Sequence, residues 1–174
     1  GLECHLVLGG QEPRVHGGNL LLSSMLGATI HFSGEHRKGE DIPELAKNLH
    51  EQGKKPYLVP YGGSNLTGAF GFVHAMLELA AQLQQLSIMP DYIFIASSSG
   101  GTQAGMHLGL MLSGLSCRIV PVSIDKDETG GHSIEDIVQA LVTEGIQALG
   151  LSKSFDPQDA KLLHDYDAAG YGVL

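Results

Sequence analysis

The feature that most constrains this chain lies in residues 91–105, where a short apolar run, Tyr92, Ile93, Phe94, Ile95 and Ala96, meets a polar loop and then an amphipathic continuation. A β-branched and aromatic run of this length reads as a buried parallel strand. The loop that follows, Ser97, Ser98, Ser99, Gly100, Gly101 and Thr102, carries no bulky side chain. Its backbone N–H groups are free to converge on an anion at the start of the next helix, where the helix dipole favours negative charge. The segment therefore reads as strand, anion-binding loop and helix, with a phosphate group as the expected guest. Gly and Ser are also what ordinary strand-to-helix turns are made of, so a plain turn stands as the competing reading. No lysine follows the glycines as a nucleoside-triphosphate loop requires, and the spacing is not the dinucleotide G-x-G-x-x-G. A phosphate held by amides and a Thr hydroxyl suits a permanently seated cofactor better than a hydrolysed nucleotide.

The rest of the chain repeats the alternation of short apolar runs with helical patterns that builds α/β folds. Residues 4–8 and 28–32 read as strands around a helix at 19–26 that Gly27 closes, a βαβ unit. A solvated connector at 33–40 leads to a helix whose start, Asp41, Ile42, Pro43 and Glu44, resembles a capping box. Residues 57–60 read as a short strand, and a long helix follows with Phe72 and Met76 expected in the core. The loop between them, Gly62, Gly63, Ser64 and Asn65, is open to two readings. Ser and Asn cap helices for structural reasons, and the carboxyl end of a strand is also where open α/β sheets bind ligands. Beyond the opening stretch a buried helix is expected, with Gly105, Gly109 and Gly114 allowing close packing. A strand at 117–123 containing Pro121 comes next, then a polar connector and a helix opened by Ser133. In the tail, Asp156 and Pro157 suit a short helix, while residues 161–166 suit a strand equally well.

With 174 residues, 43% of them hydrophobic, the chain is long enough to bury a core. A formal charge of -9 without a basic cluster argues against nucleic acid and anionic membrane surfaces as partners and favours small molecules. Only Cys4 and Cys117 are present. Each opens an apolar run, so buried thiols in a reducing compartment, the cytoplasm, are expected. No signal peptide and no apolar span of membrane length are evident. The nine histidines lack metal-ligand spacing, so no metal site is expected. Both ends read as cut from a longer protein.

Four stretches together resemble one family of pyridoxal-phosphate enzymes, the deaminases and desulfhydrases with a tryptophan synthase β-like fold. They are Gly18 and Asn19 with Gly27 and Ala28; Pro60 to Asn65 with Gly68; Ser99, Gly100, Gly101, Thr102, Gln103, Ala104 and Gly105; and Gly170, Tyr171, Gly172 and Val173. The resemblance implies a fold type II architecture, with open, twisted, mostly parallel sheets, helices on both faces, and both ends incomplete. It implies that residues 1–45 belong to a small α/β domain and 46–174 to a large cofactor-binding one. Ser98, Ser99, Gly100, Gly101 and Thr102 would hold the phosphate of pyridoxal 5'-phosphate, although Ser98 stands where many desulfhydrase-like members have glycine. Tyr171 would face the substrate, and Ser64 and Asn65 would lie nearby.

The implied activity is that of a deaminase or lyase acting on a small amino acid in a homodimer. D-cysteine desulfhydrase, giving pyruvate, sulfide and ammonia, is the first expectation and 1-aminocyclopropane-1-carboxylate deaminase the second. None of the chain's lysines stands in the family's Schiff-base context, so that lysine is expected outside the chain, and the isolated 174 residues are expected to be inactive. From a different class, a non-catalytic α/β domain binding a phosphorylated metabolite also accounts for the glycine loop, and a scaffold segment with a plain turn is the third reading.

Overall fold

A computed structural model describes residues 1–124, 131–164 and 166, and divides into two compact units at the junction of Tyr61 and Gly62. The first unit contains β1 (His5–Leu8), α1 (Gly18–Met25), β2 (Thr29–Phe32) and α2 (Ile42–Glu51). β1 and β2 pair in parallel, with His5 opposite Thr29 and Leu8 opposite Phe32, as the βαβ reading requires. Gly27 ends α1 at φ +82, a left-handed conformation that glycine adopts without a Cβ penalty. The amides of Gly27 and Ala28 then donate back to the carbonyls of Ser24 and Ser23, closing the last turn.

Three details of this unit correct the sequence reading. Asp41 precedes α2 but makes no side-chain cap. Its carboxylate is engaged by Nδ1 of His36 at 2.6 Å, and a hydrogen bond from Ser33, with His36 second, holds it below the usual carboxylate range. Cys4 is exposed, because it lies just ahead of β1 and outside its ladder, and both cysteines are free thiols. Residues 57–60 form no strand: Pro56 and Pro60 carry no N–H, no partner strand is present among the described residues, and Tyr57, Leu58 and Val59 are exposed.

The second unit contains α3 (Leu66–Leu86), β3 (Tyr92–Ser97), α4 (Gly101–Ser113), β4 (Arg118–Ser123), α5 (Ile134–Ala148) and a 3-10 turn, Pro157–Ala160. α4 packs against both α3 and α5. Ala104, Leu108, Val138 and Val142, all fully buried, form the centre of the core with Val73. β3 and β4 run parallel, with Tyr92 opposite Arg118 and Ser97 opposite Ser123. Pro121 is tolerated inside β4 because even-numbered residues turn their amides to β3, as Arg118 to Asp91 and Ile124 to Ser97. Odd-numbered residues face the other way, as Ser123 does to Leu163. Both tail readings are realised in short form: Asp156 caps the 3-10 turn through the Gln158 amide at 2.9 Å, and Leu163 bridges Val122 in parallel.

Burial in this unit departs from expectation on one face. β3 is covered on one side only, leaving Tyr92 and Phe94 exposed, the latter at 67%. Met76 is core, but Phe72 is 40% exposed at the edge of the α3–α4 contact. Gly114 is not a packing glycine: it ends α4 at φ +71 with open space around it. By length and composition α3 is apolar enough to cross a membrane, contrary to the sequence reading; in this fold its buried residues Ala69, Val73 and Met76 lie on a helix packed against α4.

Candidate functional site

The polar loop between β3 and α4 is three residues long, Ser98, Ser99 and Gly100. Gly100 occupies the N-cap of α4 at φ +81, a conformation that L side chains rarely adopt, and a Cβ there would meet Val138 at 3.1 Å. A glycine cap brings no side-chain oxygen to the helix end. The first intrahelical bond runs from the Ala104 amide to the Gly100 carbonyl at 2.9 Å. The amides of Gly101, Thr102 and Gln103 therefore point out of the helix end without an i−4 carbonyl. No acidic side chain stands in that first turn to compete for the positive end of the dipole.

A second loop closes on the first. The Gly101 amide donates to Oγ of Ser64 at 3.1 Å, across 37 residues of sequence. The approach requires glycines on both sides: a Cβ on Gly101 would lie 2.7 Å from Ser64 Oγ, and one on Gly62 would lie 2.1 Å from Ser99 Oγ. The Asn65 side chain caps α3 by accepting the Gly68 amide at 2.8 Å, while its neighbour Ser64 joins the loop of α4. Ser98, Ser99 and Thr102 are half-buried, and Gly100 and Gly101 are buried.

The arrangement gathers backbone amides and hydroxyls at a helix N-terminus, chemistry that favours an anion. Tyr171, the expected substrate-facing residue, lies outside the described residues. The role of one residue here escaped the sequence reading. Gln103 is completely buried and bonded to Ser97 and to the Ala160 carbonyl. A glutamine on an otherwise apolar helical face was the available signal. Among the described residues, no group of three or more His, Cys, Asp or Glu side chains is placed to hold a metal ion.

The sequence matches the family model described as pyridoxal-phosphate dependent enzyme over residues 1–174. A D-cysteine desulfhydrase of Yersinia enterocolitica is 33% identical over 180 residues, covering 99% of this chain and 52% of that protein. A putative 1-aminocyclopropane-1-carboxylate deaminase of Pyrococcus furiosus is 33% identical over 178 residues, covering 100% of this chain and 51% of the other. The crystal structure of an ACC deaminase homologue superposes with a TM-score of 0.83 at 30% identity, covering 99% of this chain and 50% of that one. The chain spans about half the length of the curated relatives it matches.

Proposed function

The chain belongs to the family of pyridoxal-phosphate dependent enzymes, and from that premise we propose that the full-length protein is a deaminase or lyase of small amino acids whose cofactor phosphate is seated by Ser98, Ser99, Gly100, Gly101 and Thr102. The observation that carries this reading is the side-chain-free N-terminus of α4, where Gly100 and Gly101 leave room that a Cβ would fill. When bound, pyridoxal phosphate supplies an electron sink for the α-carbon of an amino acid. The residues of this chain bind and orient it. The amides at the first turn of α4 would face the phosphate, with the Thr102 hydroxyl alongside them, while the Gly101 amide is held by Ser64 Oγ from the neighbouring loop and its missing Cβ leaves the space. Tyr171 is assigned to the substrate side. Lys153 is engaged at the opposite end of α4, donating to the Met111 carbonyl at 2.6 Å, and is not a candidate for attaching the cofactor.

D-cysteine is the preferred substrate in this reading, giving pyruvate, sulfide and ammonia with one water consumed. Ring opening of 1-aminocyclopropane-1-carboxylate is kept as the second reading because similar proteins carry either name, and one from Arabidopsis thaliana carries both. We assign the first compact unit to the small domain and the second to the cofactor-binding domain, which moves the boundary from residue 45, inside α2, to the Tyr61–Gly62 junction. The protein is taken as a homodimer by the family resemblance and as cytoplasmic by its two free thiols, and the absence of nucleic-acid and anionic-membrane partners is supported by its charge of -9 without a basic cluster.

Adding pyridoxal phosphate to the full-length protein is expected to give a visible absorption band that borohydride bleaches, fixing the cofactor on one lysine outside residues 1–174. Labelling of no lysine overturns the enzyme reading. Replacing Thr102 by Val is expected to weaken pyridoxal phosphate about tenfold, the loss of one hydrogen bond to a charged group, with a nearly unchanged melting temperature. An unchanged affinity returns the loop to a plain turn.

A further inference from the structure

Gln103 is completely buried, so its carboxamide must find protein partners or lose the free energy of its hydration. Oε1 accepts from Oγ of Ser97 at 2.9 Å, and Nε2 donates to the carbonyl of Ala160 at 3.0 Å. All three residues are buried. Ser97 is the last residue of β3 and Ala160 the last of the 3-10 turn. The bond from residue 97 to residue 103 therefore spans the loop of Ser98, Ser99 and Gly100, joining the strand before it to the helix turn after it. Ser97 is itself fixed by the β ladder, where its carbonyl accepts the Ile124 amide at 3.2 Å opposite Ser123. A Met or Leu of similar size would fill the same space, so packing alone does not account for a polar side chain here. What the carboxamide adds is direction, since its two bonds are satisfied in only one orientation of the first turn of α4.

We propose that Gln103 is a positioning residue for the phosphate cradle, locking the end of β3, the first turn of α4 and the 3-10 turn so that the loop amides converge on one point. The proposal rests on the reading that residues 98–102 seat the cofactor phosphate. The Gln103 carboxamide, held by Ser97 and Ala160, is assigned no contact with cofactor or substrate.

The test compares the affinity of the full-length apoprotein for pyridoxal phosphate with that for pyridoxal, which lacks the phosphate, alongside a thermal melt. Gln103→Met is expected to weaken pyridoxal phosphate about tenfold and Ser97→Ala about threefold, with pyridoxal affinity held within about twofold. The phosphorus-31 resonance of the bound cofactor is expected to shift in both variants. A lower melting temperature with an unchanged preference for pyridoxal phosphate over pyridoxal means a purely structural role and overturns the proposal. Should Gln103→Met fail to fold, Ser97→Ala decides alone, and an unchanged preference there overturns it equally. Thr102→Val separates the two levels. If that variant loses the preference while Gln103→Met and Ser97→Ala keep it, the cradle stands and the role of Gln103 falls. If the wild-type protein shows no preference, the cradle itself falls and takes this inference with it.

Discussion

His107 lies one helical turn beyond Gln103 on α4 and shows what burial does to a titratable group. Its ring packs edge-on against Phe155 with centroids 5.0 Å apart, and Nε2 has no hydrogen-bond partner among the described residues. Desolvation lowers its pKa to about 4, with Asp159 opposing the shift. The folded value is below the unfolded value of 6.5, so between the two the unfolded chain binds a proton that the folded chain refuses. Stability from this group is complete above pH 6.5, falls as the pH drops toward 4, and is not lost further below that. The loss is at most roughly 3 kcal/mol. Urea unfolding at pH 7 and pH 4.5 should show that decline in the wild type and a flatter profile in His107→Leu; equal slopes would remove His107 as its source. The sequence counts nine histidines, but only the packing singles out this one, because desolvation is set by neighbours remote in sequence.

Among the elements, the contact of α3 with α4 is the tightest test of the packing argument. A Cβ on Gly105 would lie 2.2 Å from the Ala69 carbonyl oxygen, a backbone atom that cannot swing aside. Gly105→Ala is therefore expected to cost about 1–3 kcal/mol in denaturant unfolding. Gly71, exposed on α3 with nothing within 4 Å, is the control. Its replacement by Ala is expected to stabilise by up to about 1 kcal/mol through helix propensity. If both substitutions act alike, close approach is not what holds this pair of helices. Helix ends were legible wherever the cap was local: Ser133 accepts the Asp136 amide at 3.1 Å and Gly27 closes α1, both within a few residues of the helix they end. The expected cap at Asp41 failed because His36 and Ser33 compete for the same carboxylate.

At the scale of the whole molecule, the two parallel pairs, β1 with β2 and β3 with β4, place the protein among α/β folds, and the function proposed above carries two candidate substrates. Offered separately to the full-length holoenzyme, D-cysteine should release sulfide and pyruvate, and 1-aminocyclopropane-1-carboxylate should release ammonia and a four-carbon 2-oxo acid. Turnover of neither would overturn the substrate class. What the sequence by itself determined is the order of strand, glycine loop and helix and the local helix ends at Gly27 and Ser133, because turn and cap chemistry depends on near neighbours. What only the tertiary structure decided is which faces are covered and which polar groups meet. Phe94 is exposed in a run that reads as buried, Ser64 reaches Gly101 from 37 residues away, and Gln103 finds the Ala160 carbonyl at a separation of 57. Burial and long-range hydrogen bonds are properties of pairs of elements, and a single segment carries only its own half of each.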